Sequence, residues 1–352
     1  MIAKEFIQMR RDRLTFAMML GIPIIQITLF GFAINTNPKH LPAVVVAAHP
    51  SPFVREVLAE IEGTGYFAIR PGFASLAEAE RLLRKGEVQF AFAFPPDLIR
   101  RAMHRRAELL VIADATDPVA AQAALGALSA LPALRGSPPR VRLVVHRRYN
   151  PELRTQDNIV PGLLGVVLTM TMVLVTAVAL ARERERGTME YLLITPIRPW
   201  EIIIGKLVPY IFVGYAQVLL LLSLAVGVFD VPIRGSVWLL LVAMLPFIAA
   251  NLGLGVTFST LAKNQMQAMQ MSFFFFLPSI LLSGFMFPFR GMPGWAQALG
   301  ELLPLTHFLR IVRGILLKGW GAADLGPELA PIAAFFTFSL TLAVVRFRRT
   351  LD

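Results

Sequence analysis

Residues 159–206 read IVPGLLGVVLTMTMVLVTAVALA followed by RERERGTMEYLLITPIRPWEIIIGK. The first part, Ile159–Ala181, carries no ionisable side chain and has the length of about 20 apolar residues that a helix needs to cross a bilayer. The second part opens on alternating Arg and Glu, then passes two prolines and a tryptophan before a new apolar run begins at Leu207. A membrane crossing, a charged turn in water and a second crossing is the simplest reading. The fold class that follows is a polytopic α-helical membrane protein.

Composition supports that reading. Of 352 residues, 56% are hydrophobic and only 16% charged, against roughly a quarter charged in soluble domains; mean hydropathy is +0.62. Six continuous apolar runs fit spans: 14–34, 159–181, 207–229, 237–261, 269–287 and 329–345. Their continuity excludes a closed barrel, whose strands alternate. The net charge of +11 is scattered through loops without an aromatic-interleaved patch, so no nucleic-acid partner is expected. The absence of cysteine excludes disulfides and thiolate metal sites.

Lys and Arg in short loops set orientation. The segment 1–13 (with Lys4, Arg10, Arg11 and Arg13), the loop 182–206, Lys263, and the tail 346–352 (with Arg346, Arg348 and Arg349) fall on one side of a six-span chain. Both termini are therefore expected in the cytoplasm. The first run lacks a small-residue cleavage site and reads as an uncleaved anchor.

Residues 35–158 differ in kind. Short β-rich runs (43–48, 66–69, 88–94, 109–113, 141–145) alternate with helical patterns (53–61, 76–83), which predicts a small α/β domain outside the cytoplasm. Ser75 and Glu78 have capping-box spacing, and Asp117 before Pro118 reads as an N-cap with proline in the first turn. The domain's histidines lack metal-ligand spacing, no metal site is expected, and Asp114 with Asp117 reads as capping rather than catalysis. A binding or docking module is the expectation.

The six runs hold no Asp, Glu, Lys, Arg or His, although ion-driven transporters usually need such groups within the bilayer. Gln26, Tyr210, Gln217, Asn251 and Gln270 are the candidate substrate-pathway residues. Gly205-Lys206 lacks the Ser or Thr and the upstream glycine of a P-loop. Uphill transport would need its motor on another chain.

In the charged loop, Arg182 with Glu185 and Glu183 with Arg186 are i,i+3 pairs, each worth about 0.2–0.5 kcal/mol. Gly187 loosens the helix, and Met189, Leu192 and Leu193 keep an apolar stripe beside Glu190. Thr195-Pro196 and then Pro199-Trp200-Glu201 restart helices. Tyr191 and Trp200 suit a partner's hot spot or an interfacial belt, and the residues alone leave both readings open.

Arg184–Lys206, RERGTMEYLLITPIRPWEIIIGK, closely resembles the signature of ABC transporter permeases of the type-2 export class. The resemblance extends to EFIQMRRDR (5–13), NPELR (150–154), FSTLA (258–262), PSILLSGF (278–285) and LPLTHFLR (303–310). It implies that Glu183, Arg184, Glu185, Arg186, Gly187, Thr188, Glu190, Pro196, Pro199 and Trp200 form a coupling segment docking on an ATP-binding subunit. ATP and Mg would then sit on that subunit, with no catalytic residue or cofactor in this chain. Residues 1–13 would be a connecting helix on the cytoplasmic face; Ile2, Phe6 and Met9 make its apolar stripe. FPFRGMPGW (287–295) breaks the fifth run, and the outer loop 288–328 carries two short helical patterns, 296–303 and 306–317. The resemblance makes these re-entrant helices over the exit. A homodimer or a heterodimer with a sister permease, in a bacterial inner membrane, is implied, with a periplasmic adaptor as candidate partner of the α/β domain. The implied function is ATP-driven export of hydrophobic or amphipathic cargo, drug-like or lipid-like. A passive channel or secretion-machinery scaffold is the alternative.

Overall fold

A computed structural model describes residues 39–47, 51–97, 100, 107–129, 131, 141–185 and 199–349. The expected connecting helix 1–13 and first span 14–34, with Gln26, lie outside the described residues. So do Arg186, Gly187, Thr188, Glu190 and Pro196.

The α/β domain has the order β1 (Leu41–Ala47), α1 (Pro52–Gly63), β2 (Phe67–Phe73), α2 (Leu76–Lys85), β3 (Phe90–Phe94), β4 (Ala107–Asp114), α3 (Pro118–Ser129) and β5 (Val141–Arg148). Its strands form one sheet in the order β2-β1-β3-β4-β5, parallel except for the β3–β4 pair. Alternation along the strands feeds two cores, as a period of two requires. Ala43, Val45, Phe90 and Phe92 meet Val54, Ile61, Ala120 and Leu128 of α1 and α3. Val44, Ala91 and Ile112 meet Ala79, Leu82 and Leu83 of α2. The caps form as the sequence predicts. Ser75 Oγ accepts from Glu78 N at 3.2 Å, and Asp117 Oδ1 accepts from Val119 N and Ala120 N.

The helical bundle comprises α4 (Thr155–Glu185), α5 (Pro199–Gly227), α6 (Val237–Leu261), α7 (Gln265–Leu282), a 3-10 turn at Phe289–Gly291, α8 (Gly294–Glu301), α9 (Pro304–Lys318) and α10 (Ala322–Arg349). Among the described residues, four stretches are long and apolar enough to cross a membrane: Thr155–Glu185, Leu207–Gly227, Val237–Leu261 and Ala322–Val345. The run expected at 237–261 matches α6 end to end. The fifth expected span, 269–287, is displaced: α7 starts at Gln265, because Asn264 caps it by accepting from Gln267 N. It stops at Leu282, ahead of Gly284 at φ +82° and Pro288. The sixth helix begins earlier than 329 and so includes Asp324 and Glu328 near its start. The expected third span overruns α5 by Val228 and Phe229.

Close helix approach depends on small residues, as is usual where lipid leaves packing as the main glue. A Cβ on Gly255 would lie 2.8 Å from Thr176 Cβ of α4, and one on Gly253 would lie 2.9 Å from Ser339 Oγ of α10. Thr257 Oγ1 donates to Ser339 O at 2.9 Å along the same seam. Phe247 of α6 stacks on Phe308 of α9 with centroids 3.9 Å apart.

Candidate functional site

Two polar centres lie at opposite ends of α4. At its C-terminal end, Gln265 N donates to Glu185 Oε1 at 2.7 Å and Gln265 Nε2 to Glu185 Oε2 at 2.5 Å. Arg182 Nε donates to Gln265 Oε1 at 3.2 Å. Arg184 Nη1 reaches the carbonyls of Thr260 and Ala262 at 3.4 and 3.3 Å. The last turn of α4 is thereby tied to the turn between α6 and α7. Arg182 and Glu185, expected as an i,i+3 pair, both converge on Gln265, whose bonds hold the Glu185 carboxyl below its ordinary pKa, with the Arg182 charge as a lesser cause. All these groups except part of the Arg184 contact are exposed. The expected coupling segment lies outside the described residues from Arg186 to Arg198, and Pro199 and Trp200 begin α5.

At the other end, the α/β domain seats on the C-terminal half of α9. Lys318 forms a buried ion pair with Asp114 at the end of β4. Its Nζ also lies 5.3 Å from the centroid of the Tyr149 ring and donates to Leu83 O at 3.4 Å. Trp320 Nε1 donates to Arg84 O at 2.7 Å. Gly314 makes room for the Trp320 ring, which a Cβ there would meet at 2.3 Å. Burial pushes the Tyr149 hydroxyl up to about 12, with the neighbouring Asp114 charge adding to it.

Beside this junction, His307 Nδ1 lies 2.6 Å from Glu328 Oε2 and Nε2 2.8 Å from Glu301 O. Arg310 bridges Glu301 and Glu328. Burial opposes the charge on His307, but its bonds to Glu328 and Glu301 outweigh that and raise its pKa. The NPELR stretch makes the link from β5 into α4. Asn150 binds Arg154 O and Arg154 N, both at 2.8 Å, and Arg154 Nη2 donates to Phe229 O beyond α5.

The described candidate pathway residues sit in separate local settings. Gln217 Oε1 accepts from Thr171 Oγ1 of α4 at 2.8 Å. Asn251 is fully buried, with Nδ2 on Phe247 O at 2.8 Å and Oδ1 unpartnered. Gln270 Oε1 is buried without a partner, and Tyr210 packs on the rim of the bundle core.

A family model described as "ABC-2 family transporter protein" matches residues 13–345. This chain belongs to the ABC-2 transporter family. "Probable multidrug ABC transporter permease YbhR" of Escherichia coli K12 is 29% identical over 99% of this chain and 97% of its own length. "Inner membrane transport permease YhhJ" of the same strain is 30% identical over 80% of this chain and 78% of its own. "ABC transporter G family member 20" of Dictyostelium discoideum is 24% identical over 90% of this chain and 46% of its own. The ABC-2 chain described here is thus a multi-pass membrane permease subunit of an ABC transporter, with ATP binding on a partner chain.

Sequence reasoning on this ABC-2 permease missed the junction at Lys318 and Trp320. The only signal was a lysine and a tryptophan flanking Gly319 just past an amphipathic helix, and neither points to a partner far away in the chain. Arg310 and Arg313 stand out in the sequence only as two charges within the short helical pattern 306–317. Their partners do not.

Proposed function

We propose that this chain is the transmembrane half of an ATP-driven exporter. It moves hydrophobic or amphipathic cargo, drug-like or lipid-like, from the cytoplasm or inner leaflet by alternating access. Two copies, or one copy and a sister permease, pair around the pathway in a bacterial inner membrane. Both termini are cytoplasmic, and the α/β domain lies on the far side, where it can meet a periplasmic adaptor. The pathway runs between the paired subunits and draws on polar groups such as Tyr210, Gln217, Asn251 and Gln270.

One observation carries this reading: the α/β domain and the start of the coupling segment stand at opposite ends of a single 31-residue helix, α4. At about 1.5 Å per residue that helix exceeds a hydrocarbon core of about 30 Å. The last turn of α4, which opens the coupling segment, would then emerge in the compartment opposite the α/β domain, and the Lys and Arg bias supports the cytoplasm as that compartment. There the segment serves as the docking element for an ATPase subunit that carries ATP and Mg, with Glu190 and Trp200 as anchors.

Co-reconstitution with the ATPase subunit in liposomes tests this. Glu190→Ala and Trp200→Ala each lower ATP-dependent efflux about tenfold while the partner still hydrolyses ATP. Wild-type efflux in both variants overturns the coupling role.

A further inference from the structure

A cavity of about 370 Å³ opens where the turns of the α/β domain face α9 and the start of α10. That is the size class of small-molecule sites. Its wall carries charges of both signs, and most are already satisfied. Lys318 is held by Asp114, Arg310 by Glu301 and Glu328, and Glu87 by Arg70.

What remains is three cations, Lys85, Arg290 and Arg313, against two carboxylates, Asp117 and Asp324. Arg290, at the mouth, has one protein contact, Gly86 O at 3.5 Å. Lys85 sits exposed on the rim. Arg313 donates from Nη1 to Gly284 O at 3.1 Å, while its Nε and Nη2 are shielded from water and unpartnered. Burial and the nearby Arg310 weaken the hold of Arg290 on its proton. Facing these are Asp117, whose Oδ1 is occupied by the first turn of α3, and Asp324, whose Oδ2 accepts from Gly321 N. Nε and Nη2 of Arg313, shielded from water without a partner, carry an unrecovered desolvation cost, and a guanidinium fork matches phosphate.

The surroundings say what carries the phosphate. The cavity is lined by Ser283 and Gly284 just past α7 and by Asp324 and Glu328 at the start of the membrane-length helix α10, and headgroups sit at the ends of spanning helices. Next to it, α8 turns Trp295, Leu299 and Leu302 outward, 45%, 47% and 69% exposed. At spacings of four and three these make one apolar stripe. Gln297 of α8 donates from Nε2 to Met292 O and Arg290 O, tying the helix to the turn that carries Arg290.

We propose that this cavity binds a phosphate group carried by a membrane phospholipid, with Arg290 as the direct ligand, Arg313 as the fixed positive charge behind it, and the acyl chains along α8. This site is distinct from the transport pathway, so its failure leaves the export reading untouched.

Thermal unfolding of the detergent-purified chain is the test, with three additives: dihexanoylphosphatidic acid below its micelle concentration, dihexanoylglycerol, and inorganic phosphate. The phosphatidic acid is expected to raise Tm saturably, dihexanoylglycerol to leave it unchanged, and inorganic phosphate to act only at far higher concentration. Arg290→Gln and Arg313→Lys should each weaken the phosphatidic acid response about tenfold, while Arg81→Gln, on α2 outside the cavity, keeps it. An equal response to dihexanoylglycerol, or an undiminished one in Arg290→Gln, overturns the site. Inorganic phosphate matching the phosphatidic acid overturns the lipid as carrier.

Discussion

The two ends of α4 are held by different physics. Where the α/β domain seats, the contacts are buried and mutually dependent: an ion pair, an indole hydrogen bond and a glycine that admits the indole ring. At Glu185 the contacts are a few exposed hydrogen bonds around one glutamine. Buried charge pairs are costly to break but not a large net source of stability, whereas exposed ones are cheap to break and re-form. The first end suits permanent attachment. The second suits an element that must shift each time a partner closes.

The largest expected effect sits at the buried end. Lys318→Ala strands Asp114 without its cation and should cost about 3–5 kcal/mol, read as a fall in Tm in detergent. The double variant Lys318→Met with Asp114→Leu should recover most of that loss; no recovery would mean that the packing, not the charge, holds the junction. Trp320→Phe keeps the ring contact with Gly314 and loses only the bond to Arg84 O, for about 1 kcal/mol.

A pH response belongs to the same end. The folded-state pKa of His307 is raised above its ordinary value near 6.5. Its stabilising share is therefore fully present below that value and lost as pH rises through the folded pKa. Tm should fall over that rise in the wild type, and the fall should shrink in His307→Gln. The smallest stability change is expected at the opposite end. Glu185→Gln should leave Tm nearly unchanged, as expected of an exposed contact, yet alter how strongly the permease stimulates its ATPase partner. A stability loss there as large as that of Lys318→Ala would erase the contrast between the two ends.

Much of the architecture was readable in advance because it follows from local chemistry. Short β-rich runs at 88–94 and 109–113 marked the strands Phe90–Phe94 and Ala107–Asp114, and Ser75 and Asp117 marked helix starts. An unbroken apolar run between Ser236 and Lys263 set α6. The span ends were harder. Polar Gln265 and Gln267 look like loop until Asn264 is seen to cap the helix that contains them. Phe285–Phe287 look like span, although Gly284 has already left helical geometry. The charged loop announced itself by composition. Gln265 did not, because nothing in sequence says that Arg182 and Glu185 will both turn to a residue across the bundle. The Lys318–Asp114 pair was invisible for the same reason: the two residues lie 204 positions apart, and only the folded chain brings them together.

The length of α4 has a mechanical consequence. Its 31 residues make a rod of about 46 Å, with Pro161 inside its second turn, where such residues permit a bend. A rod pivoting near that proline through about 10° would carry its Glu185 tip sideways by some 6–8 Å. A small rotation beneath the α/β domain is thus magnified into a stroke at the opposite membrane face, and a push delivered at that face returns as a fine, forceful adjustment near the pivot.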